Sequence, residues 1–197
     1  MFKKISEIIG CYANPPATDK DIKALTTAFF PFQINTELES FLSVMNGQKD
    51  EGFLSCEEII EERDFYRKFF KEEGDRFPEA LLPIYNVDIK MLFIVLSKYK
   101  SEQSGVFGFY VSDGDSNFYL EYNSLQSMVK TFIELDSFSK INKYSDTQGH
   151  YIDRSIYDQI TLKLNPDIYQ LKQKGSFSKS GVKNIYDFYN LPTEWFS

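Results

Sequence analysis

Apolar residues fall three and four positions apart in three stretches of the N-terminal half, the spacing of a buried helical face. Ile22, Leu25 and Phe29 form the first such face. Ahead of them, Thr18-Asp19-Lys20-Asp21 reads as a capping box, in which a hydroxyl and a downstream carboxylate satisfy the first free N–H groups. Pro31 ends the segment. Thr36-Glu37-Leu38-Glu39 opens a second helix with Leu38, Phe41, Leu42 and Met45 at helical period, and Gly47 supplies the left-handed residue that stops it. Ser55-Cys56-Glu57-Glu58 opens a third, predicted to run to about Lys71 and to bury Ile59, Ile60, Tyr66 and Phe70. The opening "MFKKISEIIGCYA" predicts an amphipathic helix of its own.

Beyond these helices the pattern changes. "LLPIYNV", "KMLFIVLS", "GVFGFYVS" and "NFYLEYN" are short runs rich in β-branched and aromatic residues, separated by polar or Gly-containing breaks. The "DGDS" between the last two makes a tight reversal, which predicts an antiparallel hairpin. Residues 91–96 are apolar throughout, as expected of a central strand covered on both faces. Helical period returns in "NSLQSMVKTFIELDSF" through Leu125, Met128, Val129, Phe132 and Ile133, with Ser124 as the cap. Helices, then antiparallel strands, then a helix give an α+β class with a central, mostly antiparallel sheet flanked by helices.

The expected organisation is a domain over residues 1–137 and a mainly helical C-terminal extension over 138–197, packed on the same domain. In the extension, "RSIYDQITLKL" and "NPDIYQLKQ", with Pro166 at a helix start, suggest two short helices. "QKGSFSKSG" is a Gly/Ser/Lys linker, and the only tryptophan, Trp195, lies near the end.

A chain of 197 residues can bury a core without staples. Its 17% aromatic share comes almost wholly from 19 Phe and 13 Tyr, which fill that core or, for a subset, stand exposed as binding anchors. Cys11 and Cys56 are far apart without metal spacing, which suits free thiols in a reducing cytoplasmic compartment. Ile8-Ile9-Gly10-Cys11 imitates a lipoprotein cleavage box, but Glu7 interrupts an apolar run already too short for a signal. No stretch approaches the ~20 apolar residues of a membrane span. Residues 1–137 hold 14 Lys/Arg against 23 Asp/Glu, net −9, while residues 138–197 hold 8 against 6, net +2. An acidic body argues against nucleic acid, whose binding needs clustered cations. It suits either plain solubility or a basic protein partner, whose approach it would accelerate.

Catalytic motifs are not found. His150 stands alone in a polar loop, with no second His or Cys cluster to make a metal site. "GSFSKSG" lacks the glycine before the lysine that a phosphate loop requires. "DGDSN" follows a calcium loop for five positions only: Phe118 replaces the turn glycine and Ser124 the bidentate glutamate. An enzyme would need distant residues such as Asp88, Glu102 and His150 to converge. One constellation remains, the acidic helix: Glu57, Glu61, Asp64 and Lys68 recur on one face, with Glu58 and Glu62 beside it. The helix dipole favours Glu57 and Glu58. The pairs Glu57–Glu61 and Glu58–Glu62 place like charges one turn apart, which disfavours the helix. Either the face is simply solvated, or its carboxylates await a basic partner.

The ordered set "ATDKDIKALTTAFF", "LESFLSVMNG", "GFLSCEEIIEE" and "GVFGFYVSDGDSNFYLEY" resembles the SUKH superfamily over about residues 17–136. That superfamily includes fungal cell-wall assembly regulators and many bacterial immunity proteins. Members commonly carry Leu-Pro and an aromatic before the "FL…NG" helix, where this chain has Ile34-Asn35. The resemblance implies a SUKH-like α+β domain that acts by binding: an immunity protein neutralising a cognate toxin, often a nuclease, or a regulatory scaffold for an endogenous protein. No catalytic residue, cofactor or metal is expected. The candidate contacts, chosen by charge, are Glu57, Glu58, Glu61 and Asp64 on the acidic helix and Asp113 and Asp115 in the hairpin turn.

Overall fold

A computed structural model describes residues 1–74, 76–87, 90–110, 118–141 and 154–165. Among them are helices α1 (Phe2–Ile9), α2 (Asp19–Ala28), α3 (Thr36–Leu42), α4 (Cys56–Glu72), α5 (Leu125–Ile141) and α6 (Arg154–Leu164). Strands β1 (Gly52–Phe53), β2 (Leu81–Val87), β3 (Lys90–Val95), β4 (Val106–Tyr110) and β5 (Phe118–Tyr122) form one sheet in chain order. Every neighbouring pair is antiparallel. The fold is α+β, as the pattern predicts. Residues 111–117, which hold Asp113 and Asp115, lie outside the described residues, as do Asp88, His150 and everything after Asn165.

The apolar run of β3 is explained by its place. It is the middle strand, and residues 91–96 are all buried. Alternate side chains of a strand point to opposite faces. On one face, Tyr66 of α4 meets the Phe93 and Phe109 rings edge-on at 5.3 and 5.7 Å, and Phe70 lies 5.6 Å from Phe109. On the other, Phe132 of α5 contacts Tyr85, Tyr122 and Phe53. A helix on each face leaves β3 no wet side. Most of the described aromatics are spent here; Tyr12, Phe30, Phe65 and Tyr99 stay exposed.

Two local expectations need correcting. The cap of α3 is Asn35, whose side chain accepts the Leu38 N–H at 2.7 Å, and Thr36 is the first helical residue. A carboxamide oxygen reaches this N–H better than the hydroxyl one residue later. The helix also ends at Leu42, short of Gly47. Gly47 does adopt positive φ, 72°, but as part of the loop that carries the chain toward β1. Met45 is still fully buried.

The start of α5 joins distant parts of the chain. Ser124 and Ser127 exchange hydrogen bonds across its first turn, at 2.9 and 3.1 Å. In addition, the buried Glu37 of α3 accepts the Leu125 N–H at 3.1 Å and the Gln126 N–H at 2.7 Å. Asn165, just past α6, is buried and accepts the Asn123 N–H at 3.0 Å.

Candidate functional site

Helix α4 begins at Cys56 because three side chains close its first turn. Ser55 Oγ accepts the Glu58 N–H at 3.3 Å, and Glu58 Oε2 accepts the Ser55 N–H at 2.7 Å. Asn46 Oδ1 accepts the Cys56 N–H at 2.8 Å. The next residue, Gly47, runs so close to the backbone of Leu54 and Ser55 that an added Cβ would collide with it. "NG" and "GFLSCEE" are therefore one device. The glycine admits the crossing chain, and the asparagine caps the helix that follows.

With the first turn fixed, Glu58, Glu61 and Glu62 project along one side of α4. The loop before β1 brings Asp50 and Glu51 to meet them. These five carboxylates, with Gly52, Leu54 and Asn86, line an open groove of about 440 Å³. None of the five forms an ion pair with a described residue. Glu62 is half-buried; burial first, then the charges of Glu58 and Glu61, push its carboxyl above the ordinary value. The helix dipole acts within the first turn and so helps Glu57 and Glu58 more than Glu62.

Of the residues expected from the sequence, the structure brings Glu58 and Glu61 into the groove. Glu57 is exposed on the same helix but does not line it. Asp64 is turned away and pairs with Arg67 at 3.1 Å. Asp113 and Asp115 lie outside the described residues. Sequence reasoning missed Asp50 and Glu51. Their only local signal is the charged run between Gly47 and Gly52, and that run does not say which helix it will face.

The groove has the composition of a cation-binding surface without the geometry of a metal centre: among the described residues, no group of three or more His, Cys, Asp or Glu could hold an ion. Cys56 is buried at the foot of α4, and burial, aided by Asp21, pushes its thiol up to about 11, which leaves it a poor nucleophile. No described helix is long and apolar enough to cross a membrane.

Fold and groove together define a class: an α+β domain whose sheet is covered on both faces and which offers a charged surface at a rigidly capped helix. Within that class the chain belongs to the SMI1 / KNR4 family (SUKH-1), whose family model matches residues 16–134. The match takes in both halves of the Asn-Gly and acidic-helix device and all five strands. Proteins of this family are in general non-catalytic and act through protein partners. No individual curated protein matches the chain.

Proposed function

We propose that this protein is a non-catalytic immunity protein that binds a basic toxin domain, with the acidic groove at the start of α4 as its principal contact. The observation that carries this reading is the state of Glu62. It is a half-buried carboxylate beside two others, without a cation among the described residues, and held above its ordinary pKa at a cost to the fold. Departures from local stability of this kind concentrate where a surface is used. A Lys or Arg from a partner would relieve the repulsion and gain charge-assisted hydrogen bonds. Bacterial members of the SUKH superfamily typically neutralise polymorphic toxins, often nucleases, which are basic because their substrate is not. The superfamily that the sequence resembles also includes fungal cell-wall assembly regulators. A housekeeping partner at the same groove is thus the second reading.

The test is co-purification followed by charge reversal. A toxin encoded beside this chain should co-purify with it, and Glu51→Lys with Glu61→Lys should slow association about tenfold and flatten its salt dependence. Glu58 is left alone because it caps α4. A stable housekeeping partner would favour the regulator. An association rate indifferent to both reversals would remove the groove from either account.

A further inference from the structure

A second pocket lies on the opposite flank of α4, where the turn after α2 meets the α4 side chains. It has a volume of about 150 Å³, and its walls include Phe29, Phe30, Arg63, Arg67, Glu79 and Lys98. We propose that this pocket receives an aspartate or glutamate side chain of a protein partner, whose adjoining apolar residue packs on Phe30. The inference rests on the chain acting through a protein partner but not on the partner being a toxin.

The charge balance of the pocket points to an anion. Asp64, outside the lining, pairs with Arg67 at 3.1 Å, and Arg63, Arg67 and Lys98 face one carboxylate within it, Glu79. Arg67 engages that carboxylate fully, through Nε at 3.0 Å to each oxygen and through Nη2. Arg63 is left short. Its side chain is 8% exposed, its Nη2 stands 4.0 Å from Glu79 Oε2, beyond hydrogen-bond reach, and its Nε–H is buried without a partner among the described residues. Nη1 is satisfied by the Ala28 carbonyl, while the guanidinium lies over the Phe29 ring at 4.5 Å. A buried donor left unmatched costs stability. Burial, then the neighbouring Arg67, pull the Arg63 guanidinium below its ordinary pKa, and the charges of Glu79 and Asp64 oppose this only in part. Lys98 makes no ion pair among the described residues. With Asp64 counted, the pocket holds one positive charge in excess, in a chain whose net charge is −7.

The mouth decides the kind of anion. Phe30 is 83% exposed, and Tyr99, next to Lys98, is 82% exposed. The two loops that carry them are tied together: the Gln33 N–H donates to the Ser97 carbonyl at 2.8 Å, and Gln33 Nε2 to the Lys98 carbonyl at 3.2 Å. Exposed aromatics beside arginines, on fixed backbone, have the composition of a protein-binding hot spot. A free phosphate would leave the rings wet. A polyanion such as nucleic acid would meet the acidic remainder of the surface. One carboxylate with an apolar neighbour satisfies both the cations and the rings.

The experiment uses the whole chain and three probes: acetyl-Phe-Asp-amide, acetyl-Phe-Asn-amide and inorganic phosphate. Binding is read from the arginine Nε–H and Phe30 ring signals by NMR. The Asp peptide should give saturable shifts at Arg63 and Arg67, about tenfold tighter than the Asn peptide and tighter than phosphate. Arg63 is buried and its replacement can unfold the chain, so the variants are the exposed Phe30→Ala and the loop substitution Lys98→Gln. Both should weaken the Asp peptide several-fold, and only Lys98→Gln should weaken phosphate. Equal shifts from the Asn peptide, phosphate binding at least as tight as the Asp peptide, or no saturation by the Asp peptide would each overturn the proposal.

Discussion

Helices α4 and α5 are both 17 residues long and cover opposite faces of the sheet, yet their first turns are closed differently. The start of α4 is built from nearby residues. Ser55 and Glu58 form a box three residues wide, and Asn46 reaches in from ten residues away. The start of α5 has its own serine pair but also depends on Glu37, 88 residues distant from Leu125. A helix capped by its neighbours keeps its flanks free, and α4 lines a pocket on each of them, one acidic and one with positive charge in excess. A helix capped from across the molecule is part of the tertiary contract: the Glu37 carboxylate locks α3 to α5.

That contrast is sharpest under mutation. Glu37→Ala should destabilise most, by about 2–4 kcal/mol, because it strands two backbone donors, one of them buried. Ser55→Ala should cost about 1 kcal/mol, the worth of an ordinary N-cap. Urea unfolding of the two variants measures both, and equal losses would erase the distinction between the caps.

Gly47→Ala tests whether the Asn-Gly break carries the crossing chain. Its φ of 72° and its collision with the Leu54 and Ser55 backbone predict a loss of about 2 kcal/mol or more. Gly74 supplies the control. It also has positive φ, 81°, but an added Cβ there meets nothing within 4 Å, so Gly74→Ala should cost only about 1 kcal/mol. If the two glycine variants lose the same amount, the close crossing is not what Gly47 is for.

The smallest effect is expected in the acidic groove. Burial and like charge raise the Glu62 pKa in the folded chain, so the folded state holds this proton more tightly than the unfolded state does. More protons bound in the folded state make stability fall as pH rises from the ordinary glutamate value of 4.5 through the raised one. Glu62→Gln removes that loss. The variant should be more stable than the parent at neutral pH, with the advantage vanishing near pH 4.5, as read from urea midpoints across the range. An unchanged or reduced midpoint at neutral pH would mean that the carboxylate is not held against the fold.

The legible features share a short range. The Thr18–Asp21 and Ser55–Glu58 boxes each act over three residues, and both form as the sequence predicts. The apolar run of β3 announced a strand with no wet face, since covering on both sides is the only way to hide it. What failed was also local in kind. Asn35 outcompeted Thr36 for one N–H, and the apolar spacing through Met45 suggested more helix than α3 contains, since a buried loop residue can keep helical spacing by chance. The candidate site was half legible. Glu58 and Glu61 stood out as like charges one and two turns into a helix, whereas Asp50 and Glu51 look like any solvated loop.

The sequence by itself determined where most helices begin, which runs become strands and that they pair in antiparallel order, because caps, turns and periodicity work over a few residues. Only the tertiary structure decided what the isolated charges are for. Glu37, Glu62 and Arg63 look alike in the chain as charged residues of helical segments. One became a buried cap, one a half-buried groove carboxylate among like charges and one a buried cation over an aromatic ring, because burial and the sign of the nearest charge are set by residues far away in the sequence.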